Sequence, residues 1–295
     1  MKNIKKIGIV TEDVAELSQE IITKYQIGIA PAKLDWPEIE GVPGENIFKK
    51  MKEADRRGIK AFGKTSQPSP KDYLDNFKNS LKNFEKILCI TVSSKISGCY
   101  NSAIQGKKML GKKEKEGVFV FDSWSVSGGE GLIVLKALDL IEEGEEIENI
   151  IKKLEEFKRD VYFYATFKDV KWIETTGRIP PIGAKVLGKM IKIGFRPLIR
   201  VKKGLITSGG IKFGAKDEVS ALLSQFKKEV KKTRNEEKKI KAVISYTNNP
   251  EEAKKLEELI KREFPNIEIA YLTLVNFIIG SRLGPGSLTL SWTPW

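Results

Sequence analysis

The chain has 295 residues, 40% of them hydrophobic and 31% charged, with a formal net charge of +13, two cysteines and no histidine. That length accommodates two ordinary domains with cores of their own, and the missing histidine removes the usual general base, the commonest transition-metal ligand and every Ser-His or Cys-His nucleophile pair. Cys89 lies inside an apolar run and Cys99 follows Gly98, which is neither a disulfide framework nor metal-ligand spacing, so no cofactor is expected.

Residues 6–10 (Lys-Ile-Gly-Ile-Val) read as a buried parallel strand. Thr11-Glu12-Asp13 follows as a strand-end loop capping a helix that runs to about residue 25, and a second strand over 27–34 completes a βαβ unit. The first residues enter this pattern without the apolar stretch of a signal peptide, and no apolar run is long enough to span a bilayer; a cytoplasmic location is the expectation. Pro37, Gly41, Pro43 and Gly44 mark a connection, and Ile47, Phe48 and Met51 share one face of a short helix after it.

Lys64-Thr65-Ser66-Gln67-Pro68-Ser69-Pro70 interrupts this patterning. Pro68 and Pro70 fix φ and bias Gln67 and Ser69 away from helix. Ser69 can then cap a helix with Pro70 at its first position and Asp72 in its first turn, whose buried face carries Tyr73, Leu74, Phe77, Leu81 and Phe84. Thr65 and Ser66 are thereby placed on a pinned loop with hydroxyls available to a polar ligand. The plainer alternative is a well-made helix start that binds nothing.

Residues 86–92 form a β-rich run ending in Ser93-Ser94-Lys95-Ile96-Ser97-Gly98, a small polar loop of the kind that binds ligands at strand carboxyl ends in open α/β sheets. A helix over 100–110, a strand over 117–121 ending in Asp122-Ser123, and helices over 128–141 and 142–159 complete a doubly wound parallel sheet. From residue 161 the rhythm changes: a strand, helical pieces broken by glycine and proline, a hairpin over 195–208 turning at Lys202-Lys203-Gly204, and then helices near 217–232 and 250–264 between strands at 242–246 and 267–274. The reading is α/β, with a Rossmann-like parallel domain over 1–159 and a mixed-sheet α/β domain over 160–295. The last informative stretch, Gly280-Ser281-Arg282-Leu283-Gly284-Pro285-Gly286, reads as a tight turn before a final strand. Arg282 there can offer a planar five-donor fork to a carboxylate or phosphate, or be a plain loop arginine.

A charge of +13 raises nucleic acid, an anionic membrane or an acidic partner. It is spread rather than striped. The richest run, residues 226–241, mixes lysines with Glu229, Glu236 and Glu237 and lacks interleaved aromatics; it reads as a solvated helix and loop, and no nucleic-acid partner is expected.

Taken together, Thr65-Ser66-Gln67-Pro68-Ser69, Ser93-Ser94-Lys95-Ile96-Ser97-Gly98, Phe121-Asp122-Ser123, Gly177-Arg178-Ile179 and Gly284-Pro285-Gly286 resemble the DegV family of fatty-acid-binding proteins, in order and spacing along nearly the whole chain. The resemblance implies a non-catalytic carrier of one long-chain fatty acid, with the carboxylate at the domain interface and the acyl chain in an apolar tunnel. It also implies a fatty acid kinase partner to which the acid is presented for acyl phosphate formation. Thr65 and Ser97 match the family's head-group hydroxyls, with Arg282 as a further carboxylate donor. Ser66, Ser94, Gly98 and Gly280 shape the pocket, and Arg178 matches a position on the partner surface. Phe163, Phe167, Ile191, Ile193, Phe277 and Ile278 are candidates for the tunnel or for ordinary core. Three departures stand out. Arg282 occupies the place of a family histidine, which leaves a different small carboxylate or a phosphate as an alternative ligand. Thr11-Glu12-Asp13 stands where the family shows T-D-S. The segment 166–178 is a few residues longer than usual.

Overall fold

The computed structural model describes residues 5–59, 62–174, 191, 194–232 and 238–295. Its strands in chain order are β1 (Lys5–Glu12), β2 (Gly28–Ala30), β3 (Lys33–Asp35), β4 (Lys64–Ser66), β5 (Phe84–Thr91), β6 (Val118–Asp122), β7 (Tyr162–Thr166), β8 (Arg196–Lys202), β9 (Leu205–Lys212), β10 (Ile240–Tyr246), β11 (Ile267–Leu274) and β12 (Leu288–Pro294). By packing, the chain groups into two compact units, one of residues 1–33, 66–161 and 203–205, the other of 34–65, 162–202 and 206–295. A division at 159/160 makes the units consecutive, whereas packing gives 34–65 to the second. Trp36, Ile39, Phe48 and Met51 in that segment bury against Trp172 and Val275.

The first unit is built on a parallel sheet in the order β2-β1-β5-β6. Side chains alternate across it, as the two-residue period of a strand requires. Ile7, Ile9, Leu88, Ile90 and Phe121 pack on Ile133, Val134 and Ala137 of the helix Gly128–Glu142 and on Ile150 and Leu154 of the helix Ile147–Phe157. Val10, Ile87, Cys89 and Val118 pack on Tyr73 and Phe77 of the helix Pro70–Ser80 and on Ala103 of the helix Cys99–Lys108. Helices therefore cover both faces, the doubly wound arrangement. Two local readings change. The helix after β1 is a 3-10 turn, Asp13–Ala15, ended by Glu16 at φ 57°, and then a separate helix Gln19–Tyr25. The strand over 27–34 is split into β2 and β3 around Pro31, since proline cannot donate to a ladder.

The second unit holds a six-stranded mixed sheet in the order β11-β10-β12-β7-β8-β9. β10 and β11 are parallel, β12 runs antiparallel to β10 and β7, and β7 antiparallel to β8. Between β8 and β9, Lys203 (φ 50°) and Gly204 (φ 78°) are both left-handed, the two-residue geometry that matches strand twist in a hairpin. One face of the sheet buries Ala242, Ile244, Leu288, Leu290 and Trp292 against Leu222, Phe226 and Val230 of the helix Glu218–Lys232 and Ala253, Leu256 and Ile260 of the helix Pro250–Glu263. Trp292 stacks with Tyr162 and Tyr164 at ring distances of 5.2 and 5.4 Å. In the basic stretch 226–241, Lys227 of the helix Glu218–Lys232 pairs with Glu263, while Lys239 before β10 and Lys241 on it pair with Glu268. Among the described residues no helix is long and apolar enough to cross a membrane.

Candidate functional site

In the second unit, Thr65 lies on β4 with its side chain half-buried. Arg282, half-buried as well, donates from Nη2 to Thr65 Oγ1 at 2.9 Å. Arg282 lies in the last turn of a helix, Phe277–Leu283, rather than in a tight turn. The helix forms because Asn276 caps it, accepting from Ile278 N at 2.8 Å, and it ends at Gly284, where φ is 83°. A Cβ at Gly284 would collide with the Trp172 ring, so position and conformation both require glycine. A cation in the last turn is favoured by the helix dipole. Gly280 sits inside the same helix, and a Cβ there would collide with the ring of Phe48; the glycine lets this helix lie close to the helix Ile47–Arg56, which carries Phe48. Phe163, Phe167 and Ile278 are buried and Ile191 and Phe277 half-buried, while Ile193 and Arg178 lie outside the described residues.

In the first unit the loop after β5 is held from several sides. Ser94 donates from its backbone N to Asp122 Oδ1 (3.1 Å) and from Oγ to Asp122 Oδ2 (2.5 Å). Ser93 Oγ donates to Gly204 O at 2.7 Å, and Ser97 N donates to Ser93 O at 3.0 Å. Beneath it, the buried Lys158 ammonium donates to Asp122 O at 3.0 Å and lies 4.7 and 4.5 Å from the ring centroids of Phe121 and Trp124. Ser97, half-buried, places Oγ 3.1 Å from Cys99 Sγ. Gly98 begins the helix Cys99–Lys108 without a side-chain cap, and a Cβ there would come within 2.7 Å of Gln67 Nε2. Ser69 and Asp72 form the reciprocal cap expected at the helix Pro70–Ser80: Ser69 N donates to Asp72 Oδ2 at 2.7 Å and Asp72 N to Ser69 Oγ at 3.2 Å. Ser66 is exposed on β4. The two halves of the candidate set are thus separately ordered: Thr65 with Arg282, and Ser94 and Ser97 within one braced loop.

The sequence reading passed over a third feature, two carboxyl groups in the first unit that are wholly buried, Glu12 and Glu130. Glu12 accepts from Tyr73 Oη and from Val92 N at 3.2 Å. Glu130 accepts from Thr11 Oγ1 at 3.0 Å and lies near enough to Glu12 for the two carboxyls to influence each other. Burial, and next the Glu12 charge, raise the Glu130 carboxyl well above the ordinary carboxylate range. Burial raises Glu12 too, against the lowering effect of its donors. Two neighbouring carboxyls out of water resist ionising together, since each negative charge raises the other's pKa. Glu130 was concealed in an apolar helix run; the signal was an acid in the first turn of that run. Burial also pushes the Cys99 and Cys89 thiols up, so neither is a ready nucleophile. Among the described residues, no group of three or more Cys, Asp or Glu side chains is placed to hold a metal ion.

A doubly wound parallel unit and a mixed-sheet unit, each presenting hydroxyls near strand ends, define a two-unit α/β protein. A sequence model described as "Uncharacterised protein, DegV family" matches residues 6–294. The chain belongs to the DegV family. A DegV domain-containing protein of Clostridium acetobutylicum is 35% identical over 206 residues, which cover 68% of this chain and 70% of that one. A fatty acid-binding protein of Thermotoga maritima is 25% identical over 294 residues, 96% of each chain. In fold the chain resembles the Thermus thermophilus DegV family protein whose structure is described as showing fatty acid binding, with a TM-score of 0.81, 24% identity, and 98% of this chain and 100% of that one covered.

Proposed function

We propose that this protein is a non-catalytic carrier of one long-chain fatty acid. The observation that carries the reading is the Arg282–Thr65 hydrogen bond. By accepting from the guanidinium, the Thr65 oxygen leaves its own proton to be directed to another acceptor, so a cation and an oriented hydroxyl stand side by side. A carboxylate removed from water needs such donors, each contributing about 1.5 to 3 kcal/mol. Thr65, Arg282 and Ser97 are the donors assigned to the head group, with Ser66, Ser94, Gly98 and Gly280 setting the shape around them. Family membership and the fatty acid binding of the Thermotoga and Thermus relatives support the carrier reading. Burial of about 16 carbons, at roughly 0.8 kcal/mol per methylene, supplies on the order of 10 kcal/mol before the costs of binding.

The carrier hands its acid to a fatty acid kinase in the cytoplasm for acyl phosphate formation, with Arg178 on the contacted surface. Arg282 gives the head group a permanent charge where a histidine would exchange a proton. Turnover with a kinase is therefore a separate measurement from binding. Denaturing extraction of the purified protein, followed by mass spectrometry of what is released, tests the carrier reading; a near-stoichiometric long-chain acid is expected. If nothing apolar is released and added palmitate leaves the melting temperature unchanged, the reading falls and small carboxylates and phosphates become the ligands to screen. For the kinase step, ATP-dependent acyl phosphate should appear only when kinase and loaded carrier are mixed.

A further inference from the structure

The mixed sheet of the second unit has a second face, opposite the one packed on the helices Glu218–Lys232 and Pro250–Glu263. Side chains alternate along a strand, so on β12 Leu288, Leu290 and Trp292 enter that core while Thr289 and Ser291 point the other way. Both are wholly buried. Register across the sheet sets Thr289 between Ser245 of β10 and Ala165 of β7, and Ser291 between Val243 and Phe163. These four neighbours are buried as well.

Neither Thr289 Oγ1 nor Ser291 Oγ has a hydrogen-bond partner among the described residues. Other buried hydroxyls close in the chain or on the paired strands are answered by carbonyls: Thr166 Oγ1 donates to Leu288 O, Thr247 Oγ1 to Ser287 O, Ser281 Oγ to Ile278 O and Ser287 Oγ to Leu283 O. Those carbonyls lie at a strand start, a turn or a helix. The middle of β12 is paired on both sides, by β10 and β7, and its two hydroxyls stand clear of them. A buried hydroxyl without a partner costs free energy that a ligand able to pair with it recovers.

The surroundings suit an extended chain. Ser245, Thr289 and Ala165 form a row of small side chains across three strands, about 10 Å long at ordinary strand spacing, with Phe163 in the adjoining row. β12 begins six positions after Arg282. Ser287 Oγ, bonded to Leu283 O at 2.9 Å and Gly284 O at 2.8 Å, ties the entry of that strand to the end of the arginine's helix.

We propose that this face is part of the wall along which the acyl chain lies, and that Thr289 and Ser291 select a long-chain acid bearing a hydroxyl group on its chain over the unsubstituted acid. This rests on the fatty acid carrier reading. A hydroxyl both donates and accepts, so a ligand hydroxyl at this face receives from one side chain and donates to the other. An unsubstituted chain in the same place leaves both unpaired. Sites built to hydrogen-bond a substrate hydroxyl reject the analogue lacking it far more strongly than apolar pockets discriminate a methylene.

The test is calorimetric titration of the full chain, stripped of bound lipid, with palmitate and with a series of hydroxypalmitates in which the hydroxyl moves along the chain. The expected result is a preference of about tenfold or more over palmitate at one stretch of positions, falling away on either side. This series is read on the unmodified protein and needs no variant. Thr289→Val and Ser291→Ala, made together, remove both hydroxyls with little change of shape. The double variant should bind palmitate more tightly and the preferred hydroxypalmitate more weakly, with the melting temperature of the ligand-free protein unchanged or raised. Palmitate bound as tightly as every hydroxypalmitate, or a preference that survives the double variant, overturns this inference alone. Absence of binding by all of these acids overturns the carrier reading and this one with it.

Discussion

Arg282 Nη2 donates to Thr65 Oγ1 at 2.9 Å, joining residues 217 positions apart in the chain. One comes from a three-residue strand and the other from the end of a seven-residue helix. A planar fork can hold a hydroxyl and a carboxylate in one arrangement, whereas an ammonium fixes neither. Arg282→Ala should therefore weaken palmitate binding by roughly 10- to 100-fold, the equivalent of one hydrogen bond to a charged group. Arg282→Lys should recover only part of that. A double-mutant cycle with Thr65→Ala, read by calorimetry, checks that the two act together: strictly additive losses would mean that the observed bond is irrelevant to the ligand.

Asp122 organises the loop that carries Ser97, because its carboxylate accepts from both the backbone and the hydroxyl of Ser94. Asp122→Ala leaves those donors without their acceptor. A loss of about 1 to 3 kcal/mol in denaturant unfolding is expected, together with weaker palmitate binding. Ser94→Ala, which removes only the hydroxyl bond, should cost less on both counts.

The close approach at Gly280 predicts a packing defect of a specific kind. Gly280→Ala drives a methyl into the Phe48 ring, and overpacking of this sort costs about 1 to 3 kcal/mol. Reducing the ring by Phe48→Leu in the same chain should restore part of the loss, although Phe48→Leu alone destabilises. Chemical denaturation of the four proteins decides it, and a double variant no better than Gly280→Ala would show that the strain lies elsewhere.

For Glu130 the pH dependence has a definite sign. Its carboxyl is held well above the ordinary range in the folded protein, by burial first and the Glu12 charge second. Below the unfolded pKa of about 4.3 both states are protonated and the group costs nothing. As pH rises above that value the unfolded chain gains by ionising while the folded one does not, so stability falls by up to about 1.4 kcal/mol per pH unit until the folded pKa is reached. Glu130→Gln does not titrate. Its stability relative to the parent should grow steadily from about pH 4 toward neutrality, in unfolding experiments at matched ionic strength. A difference that is flat with pH would mean Glu130 is ionised in the fold.

Most of the strands, the helix capped by Ser69, the polar loop 93–98 and the parallel-then-mixed order of the sheets were legible because they depend on local rules. Alternating or continuous apolar runs, proline at a first helical position and hydroxyl caps act over a few residues. The loop motifs, read together, also pointed to the DegV family, to which the chain belongs. Tertiary packing alone decided the grouping of residues 34–65 with the second unit, since that follows from which distant side chains bury Trp36, Phe48 and Met51. It also turned the glycine-rich stretch around Arg282 into a helix end, because the close contacts of Gly280 with Phe48 and of Gly284 with Trp172 outweigh glycine's preference for turns. The Glu12–Glu130 pair belongs with these: each acid by itself reads as an ordinary polar residue, and the raised Glu130 carboxyl exists only because the fold brings two carboxyls together away from water.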